Sequence, residues 1–95
     1  YLAKALVVWP GGFGTLDELM ELLTLIQTKK IKKKLPIVLY GKEFWNKIVN
    51  WNYLVEIGTI SEEDLDLFHI SDDIQDAYNY ITQFLEKQQL KGPNF

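Results

Sequence analysis

Val7-Val8-Trp9-Pro10-Gly11-Gly12-Phe13-Gly14-Thr15-Leu16-Asp17-Glu18 decides how this chain folds: an apolar run stops at a proline, passes through three glycines and restarts with a helical pattern. Glycine lets a backbone turn sharply and approach a ligand closely, and the first N–H groups of a helix have no partner inside it. With the helix macrodipole behind them, such groups form a site for an anion. The stretch therefore reads as a strand, a phosphate-binding loop and the beginning of a helix.

Leu2 to Trp9 is the expected strand. Its portion Ala5-Leu6-Val7-Val8-Trp9 is apolar throughout, as in a parallel strand covered on both faces. From Thr15 to about Lys30, Leu16, Leu19, Met20, Leu23 and Ile26 recur at helical spacing, and Leu22 and Leu25 widen the stripe, so this helix should be buried on more than one side. Leu35-Pro36-Ile37-Val38-Leu39-Tyr40-Gly41 is a second strand, with Pro36 tolerated at its start. An aromatic-rich helix is expected from Glu43 to Ile57, stopped by Gly58. Ser61 and Asp64 signal a short helical turn. Leu67-Phe68-His69-Ile70 is a third, short strand. Ser71 is the expected cap of a last helix from Asp72 to about Gln88, with Ile74, Ala77, Tyr78, Ile81 and Leu85 at helical spacing. Residues 89–95 form a tail expected to fray.

Strands alternating with helices in this way predict an α/β fold, a Rossmann-like three-layer arrangement around a parallel sheet with right-handed crossovers. About three strands are present, which corresponds to the C-terminal half of such a domain. One side of the first strand is expected to pair with a strand outside residues 1–95, and the whole chain to be a single partial domain.

The 95 residues are 47% hydrophobic, enough for the core of one small domain. The chain opens on Tyr1, leads at once into an apolar strand and has no arginine, which marks it as the C-terminal part of a longer protein. Absence of cysteine excludes disulfides and thiol chemistry and suits the cytoplasm. No apolar run is long enough to span a membrane. A net charge of −3 gives no general attraction to nucleic acid or anionic lipid. The local exception, Lys29-Lys30-Ile31-Lys32-Lys33-Lys34, reads as a solvated connection whose cations suit a helix C-terminus.

Thr15 and Glu18 have two readings. Thr-x-x-Glu is a capping box, worth on the order of 1 kcal/mol to a helix start. It is also a hydroxyl and a carboxylate beside an anion site. Carboxylates repel phosphate, so the phosphate should rest on the N–H groups of Gly11 to Thr15, while Glu18 points to a neutral part of the ligand such as ribose hydroxyls. Asp17 is expected only to favour the helix dipole. His69, alone in an apolar strand, reads as a packed or hydrogen-bonded side chain, and no metal site is assigned. Phe44, Trp45, Trp51 and Tyr53 are expected to pack the second helix, and Glu62, Glu63, Asp64 and Asp66 to face water as an acidic patch.

Pro10 to Glu18 matches, position for position, the PGGxGTxxE signature of the Lonely Guy (LOG) family, whose members are often labelled lysine decarboxylase. The resemblance covers residues 1 to about 60. It implies a phosphoribohydrolase that cleaves the N-glycosidic bond of nucleoside 5′-monophosphates, such as AMP or a cytokinin riboside 5′-monophosphate, to free base and ribose 5-phosphate. It further implies that Gly11, Gly12, Phe13, Gly14 and Thr15 bind the substrate at its phosphate, that Glu18 binds the ribose and is catalytic, that no cofactor is needed, and that the protein is a homodimer or larger homo-oligomer. The family also uses an upstream arginine and an earlier glycine-rich loop. This chain has neither, so on its own it is expected to be inactive. An alternative on the same fold is a carrier that binds a nucleotide or molybdenum cofactor without hydrolysis. Lysine decarboxylation is set aside, since in its usual form it needs pyridoxal phosphate held by a lysine in a recognisable setting.

Overall fold

The computed structural model describes residues 5–28 and 35–90, with side chains through residue 87. Residues 1–4, the lysine cluster 29–34 and the tail residues 91–95 lie outside the described residues. The elements are β1 (Leu6–Val8), α1 (Phe13–Gln27), β2 (Ile37–Tyr40), α2 (Lys42–Ile48), α3 (Trp51–Glu56), a 3-10 helix (Glu62–Leu67), β3 (His69–Ser71) and α4 (Ile74–Leu90). The three strands form one parallel sheet in the order β1-β2-β3, with Val8 beside Leu39 and Tyr40 beside Ser71. This is the expected Rossmann-like α/β arrangement.

β2 has a neighbour on each side and a layer on each face, so its residues are the most deeply buried: Ile37, Val38 and Leu39 are fully enclosed, with Leu35 buried just before them. Alternate side chains go to opposite faces. Ile37 and Leu39, joined by the half-buried Leu6 and Val8, pack with Leu19 and Ile26 of α1 and Trp45 of α2. α4 lies against β2 and β3 on the sheet and buries Ala77.

Several boundaries differ from expectation. The helix expected from Glu43 to Ile57 is two helices, because Val49 is extended and the side chain of Asn50 accepts a bond from Tyr53 N, which caps a new start. Gly58 takes a φ of +82° after the second of them, as its role as a stop requires. Phe44, Trp45 and Trp51 pack as expected, whereas Tyr53 is exposed. β3 is displaced toward Ser71, which is fully buried. Its hydroxyl is satisfied locally, donating to Asp73 O at 3.1 Å and accepting from Asp73 N at 3.2 Å. Ser71 thus ends a strand instead of capping α4, and the carboxylate of Asp73 takes the cap position, accepting from Gln75 N at 3.3 Å. α4 meets the sheet through Ala77, leaving Ile74 and Tyr78 about 60% exposed. It continues through residues 89 and 90, so the expected tail is helical at its beginning.

Candidate functional site

β1 delivers the chain to the carboxyl edge of the sheet, where open α/β folds place their ligand sites. α1 begins there at Phe13, two residues earlier than its apolar spacing suggests, with Gly12 (φ −97°, ψ −149°) as its cap. Thr15 is therefore inside the first turn and the Thr15–Glu18 capping box does not form: Leu16 N reaches Gly12 O at 3.1 Å, and no side chain caps the helix. Asp17 falls beyond the first turn, outside the reach given to it at the dipole. With only a glycine at the cap, the N–H groups of Phe13, Gly14 and Thr15 have no helical partner.

The three glycines have different reasons to be there. A Cβ on Gly11 would run into Thr15, meeting its Cβ at 2.9 Å and its Oγ1 closer still, so the loop itself requires a glycine. A Cβ on Gly12 or Gly14 would find nothing within 4 Å, and neither residue has a positive φ. Neither position is reserved for glycine by a close neighbour or by a positive φ.

Thr15 is half-buried and Glu18, one turn later, is exposed. Both line a cleft of about 470 Å³ together with Leu6, Val8, Trp9, Pro10, Leu19 and Leu22, beside β1. Gly11, Gly12, Phe13 and Gly14 are exposed ahead of it, Phe13 to 91%. Thr15, Glu18 and Trp9 thus border one cleft, which runs along the edge of β1 that has no neighbouring strand among the described residues.

Behind the loop, the ends of the strands are tied together by contacts that sequence reasoning missed. Gly41 N donates to Ser71 O at 2.8 Å, and Gly41 has a φ of +104° in a position where a Cβ would press on Pro10 Cγ at 3.2 Å. The Tyr40 hydroxyl donates to Asp72 O at 2.8 Å, Asp72 Oδ1 accepts from Lys42 N at 2.6 Å, and Trp45 Nε1 donates to Tyr40 O at 3.1 Å. Trp9 lies against Tyr40 with ring centroids 4.6 Å apart and planes tilted by 46°. A glycine directly after an apolar strand was the local signal available; the partners are about 30 residues away.

Elsewhere, His69 is hydrogen-bonded as expected, its Nε2 lying 2.7 Å from Asp76 Oδ2 and its ring stacked on Tyr80. That bond to His69 holds the Asp76 carboxyl below the usual range. Glu62, Glu63 and Asp66 face water, but Asp64 turns partly inward, accepting from Ser61 N at 2.9 Å and from Gln27 Nε2 at 2.6 Å. These bonds lower its pKa, the Ser61 backbone bond most. Among the described residues, no three His, Cys, Asp or Glu side chains are grouped to hold a metal ion, and no helix is long and apolar enough to cross a membrane.

No curated protein matches the chain. The family model described as "Possible lysine decarboxylase" matches residues 1–81, which takes in the whole sheet and the first part of α4. The matched region is the LOG domain, found in a family of nucleotide phosphoribohydrolase type. With the parallel sheet, the glycine loop and this match in agreement, the chain belongs to the LOG family, the family described as possible lysine decarboxylase.

Proposed function

We propose that this chain supplies the phosphate and ribose subsites of an enzyme that hydrolyses nucleoside 5′-monophosphates to free base and ribose 5-phosphate. The observation that carries the reading is the pair Gly12 and Gly14: they face open space without a positive φ, beside N–H groups left without partners. Glycine that neither a close neighbour nor a positive φ calls for is accounted for by a ligand that comes close to the backbone.

In this reading the 5′-phosphate rests on the N–H groups of Phe13, Gly14 and Thr15, with the Thr15 hydroxyl as a further donor. Glu18, one helical turn away, meets the ribose. Cleavage breaks the bond from C1′ to the base nitrogen, with the electron pair leaving on the base; water adds to C1′ and its proton is passed on to the base. Positive charge develops on the sugar ring, and a fixed carboxylate beside it lowers the barrier. Exposure of Glu18 in the cleft, with no capping bond to make, suits that role. The arginine and the earlier glycine loop implied by the family resemblance are not among residues 1–95. The activity is accordingly assigned to the protein that contains both, acting in the cytoplasm as a homodimer or larger assembly.

The test is to incubate the full-length protein with AMP and with a cytokinin riboside 5′-monophosphate and to follow free base and ribose 5-phosphate by chromatography, with Glu18→Ala alongside. Release that depends on Glu18 supports the hydrolase. Tight nucleotide binding without release over long incubation overturns it in favour of a carrier.

A further inference from the structure

Pairing of β1 with β2 ends at Val8 beside Leu39, just short of the glycine loop. Side chains nevertheless carry the same alignment two residues further. Trp9 lays its ring on that of Tyr40, with centroids 4.6 Å apart, and Pro10 comes so near Gly41 that a Cβ there would stand 3.2 Å from Pro10 Cγ. Proline has no N–H with which to continue a ladder, so packing takes over the task of holding it. Gly41 permits the approach because it lacks a Cβ, and its φ of +104° also favours glycine. Both supports are fixed from behind: Gly41 N donates to Ser71 O at 2.8 Å, and the Tyr40 hydroxyl donates to Asp72 O at 2.8 Å.

Gly11 follows Pro10 directly, and the unpartnered N–H groups start at Phe13. Backbone donors of this kind have no side chain to swing into place, so where they point depends on where the chain entering the loop is held; misplacement by about 1 Å can cost about a hundredfold. We propose that Tyr40 and Gly41 are positioning residues for the phosphate: by seating Trp9 and Pro10 they fix the direction of the N–H groups of Phe13, Gly14 and Thr15. This rests on the reading given above, in which the glycine loop holds the phosphate, and adds what holds the loop. A phosphate contact is made alike in the bound substrate and in the transition state, so loss of the seat raises KM and leaves kcat largely in place.

The experiment uses the full-length protein and compares the unaltered sequence with Gly41→Ala, Tyr40→Leu, Tyr40→Phe and Gly14→Val. Each is shown by circular dichroism to be folded and is measured well below its thermal midpoint. Calorimetry gives the affinity for ribose 5-phosphate, and release of base from AMP gives KM and kcat. Gly41→Ala and Tyr40→Leu are each expected to weaken ribose 5-phosphate and to raise KM by about tenfold, with kcat within about threefold of the original. Tyr40→Phe keeps the ring under Trp9 and should recover most of that affinity. Where Gly41→Ala does not fold, Tyr40→Leu decides by the same measurements, and where AMP is bound without release, the ribose 5-phosphate affinities decide. A merely structural role would lower the thermal midpoints and leave affinity and KM of the folded variants unchanged, which overturns the proposal. A loss in Tyr40→Phe as large as in Tyr40→Leu overturns it too, because the ring would then not be the seat. Failure of the underlying reading looks different: the unaltered protein does not bind ribose 5-phosphate, or Gly14→Val leaves that affinity unchanged, and the positioning role falls with it.

Discussion

The phenol of Tyr40 and the backbone carbonyl of Asp72 are joined at 2.8 Å, across 32 positions of sequence, so that the end of β2 is fastened to the turn that launches α4. The same Asp72 uses its carboxylate to accept from Lys42 N, at the start of α2. Separate atoms of one residue thus hold the strand end and the next helix. Tyr40→Phe removes only the first bond and is expected to cost about 1 kcal/mol, while Asp72→Ala removes only the second, a helix-start acceptor worth roughly 0.5–2 kcal/mol. Urea unfolding of the two single variants and the double variant checks this. Both bonds secure the same turn, so the double variant should fall short of the sum of the two losses.

Glycine at positions 41 and 14 should respond oppositely to alanine. Gly41 has a φ of +104° and Pro10 beside it, so Gly41→Ala should lower stability by about 1–2 kcal/mol or more. Gly14 lies in the first turn of α1 with open space around it, and Gly14→Ala should raise stability by roughly 0.4–1 kcal/mol. If the proposed phosphate site is right, the stabilised Gly14→Ala protein also binds ribose 5-phosphate more weakly. Thermal midpoints and calorimetry on the same samples separate the two effects.

Glu18→Gln should leave stability within about 0.5 kcal/mol of the original, because the side chain is exposed and closes no capping box. Its turnover should fall about a hundredfold or more, the scale of a lost electrostatic contact to a transition state. A drop in stability of about 1 kcal/mol with full turnover would return Glu18 to a structural role.

Asp64 gives the fold a dependence on acid. Its native pKa is lowered from the ordinary 3.8 by the Ser61 backbone bond and the Gln27 side-chain bond. A carboxyl lowered on folding adds stability that is complete above its unfolded value and is lost as the pH falls through the native one. The contribution of Asp64 should thus be present at about pH 5 and above and disappear below 3.8. Urea midpoints across that range should fall less steeply for Asp64→Asn than for the original sequence.

The parts of the fold that are legible in sequence are those whose signal is local and apolar. Ile37, Val38 and Leu39 announce a buried strand, and Leu19 and Ile26 lie on the stripe that the spacing of α1 marks out. The start of α1 escapes such reading because its cap is Gly12, which works through backbone shape and carries no side chain to signal it. Asn50 does carry a signal, but the apolar residues on both sides of it conceal the break. Ser71 reads as a cap because serine is rarely enclosed, and here its own turn with Asp73 satisfies the hydroxyl. Within the candidate site, Thr15 and Glu18 are legible from spacing and do share a cleft. The Tyr40–Asp72 fastening and the support of Trp9 are not, since no neighbour in sequence hints at a partner on another strand.

The order of the strands in space is their order along the chain. Each strand and helix emerging from a ribosome can therefore dock on the unit completed just before it, with no need to wait for a distant segment. β2 gains its second neighbour only when β3 is made, and the Tyr40–Asp72 fastening closes at that same moment. The chain is thus suited to assemble in the direction of its own synthesis, with the loop that precedes α1 shaped early and secured last.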